Sequence, residues 1–233
     1  MMMKIRIAVV ALATVMSPAL AATIPVALVE EVSGAPAGVE FMDYVETGKT
    51  IELGARGGIV LSYLNSCVRE TISGGTVKVG TDQSDVQGGR VARTKVPCDP
   101  GNLALTGDKP GQFSGRVFRS AAEGTSAVEA QLTLYGRSPL LELKGPGTLL
   151  IERLDQTSER YLVDVGTEQL LHGKFYDFGK WGRHLAAGGL YRISQDSQDG
   201  QEELVFKIDA HAKPGNTPMV SRLLRLNSAK QTR

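Results

Sequence analysis

Apolar residues fall along this chain in short runs, and clusters of Gly, Pro, Asn and Asp separate them. Many runs alternate with polar positions. Val68, Glu70 and Ile72 share one face of such a run, and Arg69 and Thr71 share the other. Leu204, Phe206 and Ile208 repeat the pattern, with Val205 and Lys207 pointing away. Residues 59–64 are apolar except for Ser62 and include the β-branched Ile59 and Val60 and the aromatic Tyr63, which fits a well-buried strand. The same reading predicts strands over 24–32, 50–53, 68–72, 76–79, 132–135, 140–143, 148–154, 160–165, 190–194, 203–208 and 220–226. Three hairpins are expected: at Gly74-Gly75, around residues 155–158, and through the polar loop that contains Asp199-Gly200. Residues 97–115 read as a long loop, 116–120 as one more strand, and 121–130 as a linker or a short helix. No long amphipathic helix is visible.

Twelve to fourteen short strands with turns every 8–12 residues or so predict an all-β protein of short antiparallel strands. The expected organisation is two small domains, each like a β-sandwich or β-barrel, over residues 22–120 and 128–226, followed by a flexible tail at 227–233. Composition strengthens the β reading. Glycine supplies 27 of 233 residues, well above the usual share of about 7 %, and so provides turns and bulges in number. Lys and Arg total 26 against 25 Asp and Glu, a balance that argues against a nucleic-acid partner.

The first 21 residues change the picture of where the chain works. Lys4 and Arg6 precede an apolar stretch, Pro18 breaks it, and Ala19-Leu20-Ala21 has the small-x-small form of a cleavage site. This is the pattern of a secretory signal peptide at 1–21, so a periplasmic or secreted location is expected. No later segment is apolar for long enough to span a bilayer, so no membrane span is expected in the mature chain. In an oxidising compartment the two cysteines, Cys67 and Cys98, read as a disulfide.

Residues 48–53, 58–64 and 70–79, with their glycines and hydrophobic spacing, resemble a FecR-type domain. The resemblance covers about residues 26–90. It implies an exported β domain with a signalling or scaffold role in the envelope, and it assigns no functional residues. The cysteine pair is a departure from that family's pattern. Further on, Trp181, then residues 185–193 and 204–208, are similar to immunoglobulin-like sandwich modules, a likeness of fold alone.

The common catalytic patterns are missing: there is no G-x-S-x-G, S-x-x-K, H-E-x-x-H or Walker A sequence. His172, His184 and His211 have no metal-ligand spacing, so no metal and no cofactor are expected. The acidic residues around 196–203 lack the spacing of a calcium loop and read as a solvated turn. The densest chemistry is aromatic. Phe175, Tyr176, Phe178, Trp181 and Tyr191 place five of the thirteen aromatics within 17 residues, interleaved with Lys174, Lys180, Arg183 and His184. Two readings stay open. The rings are a structural corner of the core, or Tyr176, Phe178, Trp181, Arg183 and Tyr191 form a binding surface for a polysaccharide such as peptidoglycan or for an envelope protein. The expected function is a non-catalytic binding, scaffold or signalling module of the bacterial cell envelope. The alternatives are a secreted hydrolase of cell-wall or extracellular polymer, and an assembly subunit that pairs through an edge strand.

Overall fold

Alternating apolar residues bury one face of a strand, and a bent strand changes which face that is. Both effects shape the first sheet. A computed structural model describes residues 24–34, 36, 38–103, 128–156, 159–197, 200–215 and 217–226. The expected signal peptide, the strand at 116–120, residues 121–127 of the linker, most of the 97–115 loop and the tail lie outside the described residues.

The first sheet contains β1 (Pro25–Ser33), β2 (Tyr44–Glu46), β3 (Thr50–Tyr63), β4 (Val68–Lys78), β5 (Asp85–Gln87) and β6 (Arg90–Lys95). Its order is β2-β1-β3-β4-β5, with β6 also paired to β4, and every pairing is antiparallel. The hairpin expected at Gly74-Gly75 does not form. The chain runs straight through both residues as part of β4, and the segments expected at 50–53 and 59–64 are likewise one strand, β3. The reason is the partner strand. The β3–β4 register shifts between Glu52 and Gly54 and again between Gly54 and Gly58, so β3 is bulged where β4 carries Gly74 and Gly75. Two glycines with φ of +70° and +76° therefore bend a long ribbon rather than reverse it. At the bend the backbones nearly touch. A Cβ on Gly75 would sit 2.2 Å from the Gln87 carbonyl oxygen, so only glycine fits there. The bent ribbon wraps a core of Ile51, Leu53, Ile59, Leu61, Tyr63, Ile72 and Val77, closed by Val26, Ala27, Val29 and Val45.

Cys67 and Cys98 form the expected disulfide, with Cα atoms 5.8 Å apart. It ties the β3–β4 turn to the segment that leads from β6 into the single helical turn α1 (Pro100–Leu103).

The second part holds two sheets. β9 (Gly147–Arg153), β10 (Arg160–Val165), β12 (Leu190–Ser197), β13 (Gly200–Lys213) and β7 (Leu132–Gly136) make a five-stranded sheet in the order β10-β9-β12-β13-β7. β8 (Leu140–Glu142), β11 (Phe175–Asp177) and β14 (Leu223–Arg225) make a three-stranded sheet in the order β11-β8-β14. The β9–β10 and β12–β13 hairpins form where they were expected. Two pairings depart from the antiparallel expectation: β7 with β13 and β8 with β14 are parallel. Alternation encodes which face is buried, not which way the neighbour runs. The strand expected over 220–226 is shorter, because Met219–Ser221 form a 3-10 turn before β14. The all-β class holds, and among the described strands no sheet closes into a barrel.

The three-stranded sheet is a middle layer. Each of its strands carries two adjacent apolar residues, and the pairs point in opposite directions. Leu141, Tyr176 and Leu224 pack against Ile151, Ile193 and Phe206 of the five-stranded sheet. Leu140, Phe175 and Leu223 face the other way, against Leu28, Met42, Leu64 and Val96 from the first part of the chain. Polar contacts cross the same seam. The Tyr44 hydroxyl donates to Glu142 at 2.8 Å, and the Met219 amide donates to the buried Glu30 carboxylate.

Candidate functional site

β11 ends at Asp177, and the chain then makes a tight turn before it returns toward β12. The turn has a firm base. The Phe178 amide donates to the Pro139 carbonyl at 3.0 Å, and the Leu185 amide donates to the Arg137 carbonyl at 2.8 Å. The Arg137 guanidinium donates back to the Leu185 carbonyl at 2.7 Å, and the Ser138 hydroxyl donates to the Arg183 carbonyl at 2.9 Å. Inside the turn the Gly182 amide reaches the Gly179 carbonyl, and the Arg183 amide reaches the Phe178 carbonyl. Gly182, at φ +66°, takes the left-handed step that closes it.

Under the turn lies a buried ion pair. Asp177 and Arg222 are 8 % and 4 % exposed. Their contact is bidentate, Nη1 to Oδ1 at 2.6 Å and Nη2 to Oδ2 at 3.0 Å. Arg222 also donates to the Ser138 and Thr217 carbonyls, and Asp177 Oδ1 accepts the Gly179 amide at 2.8 Å. Almost every polar group of the pair is thus engaged, which is what makes two charges tolerable at this depth. The pair joins β11 to the segment just before β14 and fixes the base of the turn.

The turn presents Lys180, Trp181, Arg183 and His184 to solvent, with Trp181 43 % exposed. The other three residues expected on a binding surface are in the core. Tyr176, Phe178 and Tyr191 are all buried. Tyr176 and Phe178 meet edge to face, with ring centroids 5.5 Å apart, and Tyr191 stacks on Phe206. The Tyr191 hydroxyl accepts the Ala186 amide at 2.9 Å. Burial raises the hydroxyl pKa of both tyrosines, and the positive charge of Arg183 works against that rise at Tyr176. The aromatic cluster therefore divides. Tyr176, Phe178 and Tyr191 build the floor because they sit on or beside strands of the sandwich. Trp181 and Arg183 remain as surface.

That surface has a definite chemistry. A flat ring with an N–H handle stands among a lysine, an arginine and an imidazole. It suits a ligand with an apolar flat face and carboxylates close by, as in an acidic glycan or its attached peptide. Asp177 and Arg222, which hold the turn, were not foreseen. A lone Asp after two aromatics signals burial, but nothing in the spacing ties it to an arginine 45 residues away. In the acidic stretch around 196–203, Asp196 and Glu203 are exposed as a solvated turn requires, but one residue departs from that reading. Glu202 is fully buried, and its carboxylate lies 2.6 Å from the Lys144 ammonium. His172, His184 and His211 are all exposed.

A second polar cluster sits on the seam between the two parts of the chain. Glu142 accepts from Tyr44, lies 3.1 Å from Arg225 Nε and 3.4 Å from Lys174 Nζ. The Lys174 ammonium also stands 4.8 Å from the Tyr44 and Phe175 ring centroids. Burial pushes the Tyr44 hydroxyl far above the ordinary tyrosine range. These groups pair with one another, although Arg225 Nη2 is buried without a hydrogen-bond partner, and the cluster reads as structural cement. No family model, no curated protein and no solved structure matches this chain.

Proposed function

We propose that this chain is an exported, non-catalytic module of the bacterial cell envelope that holds a carboxylate-bearing glycan, peptidoglycan in the first place, through the turn at 178–185. The observation that carries this reading is an exposed Trp181, flanked by Lys180, Arg183 and His184, on a turn clamped from below by the Asp177–Arg222 pair. A rigid mount matters because a platform that is already ordered loses little entropy on binding. Export is supported by the signal-like residues 1–21 and by the Cys67–Cys98 disulfide. The FecR-type resemblance over residues 26–90 agrees with an envelope scaffold or signalling role. The test is co-sedimentation of the mature chain with purified peptidoglycan. The native chain should pellet with the polymer, its Trp181 emission should shift, and Trp181→Ala together with Arg183→Ala should abolish both. Equal pelleting of the variant and the native chain would remove the turn from the binding reaction.

A further inference from the structure

Sheet edges are where strands recruit other strands, and proteins usually guard them. In the first sheet, β6 carries Arg90, Arg93 and Lys95 along its six residues. In the five-stranded sheet, the edge at β7 is covered, and its Thr133 amide donates to the Asp99 carboxylate. Among the described residues nothing covers the opposite edge, β10, and its charges are one of each sign, Arg160 and Asp164, rather than a row of cations. Arg160–Val165 pairs with Glu152–Gly147 in unbroken register, without a bulge, a proline, a glycine or a lysine. Its Leu162 is 70 % exposed and its Tyr161 44 % exposed.

The direction of the unused backbone groups can be read from the ladder. The Arg153 amide donates to the Glu159 carbonyl, so the odd-numbered residues of β10 bond to β9. Arg160, Leu162 and Asp164 therefore turn their N–H and C=O groups to the open edge. Their side chains share the outer face of the sheet, with Leu150, the partner of Leu162, behind them.

We infer that β10 pairs antiparallel with β10 of a second copy of this chain, about a two-fold axis at Leu162. This register makes about six main-chain hydrogen bonds, through residues 160, 162 and 164 of each copy. It sets Leu162 against its symmetry mate and puts Leu150, Leu162 and their two mates in one apolar row across the joined sheet. It also sets Arg160 of each copy opposite Asp164 of the other. Arg160 already bonds Glu152, with Nη2 to Oε1 at 2.6 Å, so in the pair it lies between two carboxylates. On the core-facing side Tyr161 meets Val163. A slip of two residues would put Arg160 opposite Leu162 and break both charge pairs. The strand is thus complementary to itself in one register, and two five-stranded sheets become one of ten strands. The dimer is isologous and closed, so it uses up the open edge instead of propagating it.

Sedimentation equilibrium of the mature chain tests the inference, from micromolar to submillimolar concentration. The native chain should be a reversible dimer. Leu162→Lys should abolish dimerisation, and Arg160→Asp or Asp164→Arg should each raise the dimer dissociation constant by about tenfold or more, since each opposes like charges at two positions. Mixing the Arg160→Asp chain with the Asp164→Arg chain should restore dimers, because both contacts then join opposite charges. A change that merely weakened the monomer fold could not be repaired by mixing. Far-UV circular dichroism and an intact Cys67–Cys98 linkage confirm that each variant folds. A native chain that stays monomeric at every concentration overturns the inference, whether or not some other protein pairs with β10. So do native dimers that persist in Leu162→Lys, and a mixture of the two charge variants that stays monomeric.

Discussion

The first sheet is held together from within its own stretch of chain, whereas the middle layer is held from far along the sequence. β3 and β4 are consecutive and share the longest pairing among the described strands, and the disulfide, which ties the turn between them to the segment after β6, spans a sequence separation of 31. The middle layer draws strands from residues 140–142, 175–177 and 223–225, and its ion pair joins Asp177 to Arg222. The lesson concerns kinds of stability. A local unit can rely on a covalent tie and on glycines that let backbones approach. A unit built of distant three-residue strands needs contacts that are strong singly and hard to replace.

The sharpest way to break the comparison is to remove half of the ion pair. Arg222→Met leaves Asp177 buried without its partner, and unfolding free energy should fall by about 3–5 kcal/mol in urea titration. Adding Asp177→Leu should recover part of that loss, since a buried pair replaced as a whole costs less than a stranded charge. Loss of the local staple should cost somewhat less. Cys67→Ala with Cys98→Ala should lower stability by about 3.5 kcal/mol, from the loop entropy of the unfolded chain. Cys67→Gly in place of Cys67→Ala should recover a fraction, because residue 67 sits at φ +55°.

The bend of the first sheet comes next. Gly75→Ala would drive its Cβ into the Gln87 carbonyl and should cost about 2–3 kcal/mol. Gly182→Ala, at the tip of the Trp181 turn, meets no neighbouring atom, so only its φ of +66° opposes the change and the loss should be about 1 kcal/mol. Equal losses at the two sites would remove the distinction between a packed bend and an open turn.

Alkaline pH probes the first sheet through Tyr63, whose hydroxyl lies 2.8 Å from the Ser84 hydroxyl in the core. Burial pushes its pKa up to about 12, against about 10 in an unfolded chain. The folded state therefore keeps a proton that the unfolded state gives up. Its contribution of about 3 kcal/mol is complete below pH 10 and is lost as pH climbs from about 10 to about 12. Tyr44, on the seam, acts in the same direction. Stability measured across that interval should fall, and Tyr63→Phe should flatten the fall. The smallest effect is expected at Trp181. Trp181→Ala should change stability by less than about 0.5 kcal/mol while removing polymer binding, since the ring is on the surface.

Much of the fold was legible because strand burial has a period of two. The β9–β10 and β12–β13 hairpins follow from their alternation and their polar turns, and the disulfide follows from an isolated cysteine pair in a chain expected to be exported. Gly74-Gly75 misled because glycine permits a reversal and a bend alike, and the bulged register of β3 decides between them. The binding candidate was half legible. Ring density located the segment, but Tyr176, Phe178 and Tyr191 belong to the floor and Trp181 to the surface, a division set by which residues lie on strands of the sandwich.

The all-β class, the position of most strands, and the cysteine pairing were determined by the sequence alone, because each depends on local period or on residue identity. Three features were decided only by the tertiary structure: the parallel pairings of β7 and β8, the two-faced burial of the middle layer, and the Asp177–Arg222 clamp. Each joins residues far apart in the chain. A local pattern states what a residue prefers to be buried from, and only the assembled layers state what it is buried against.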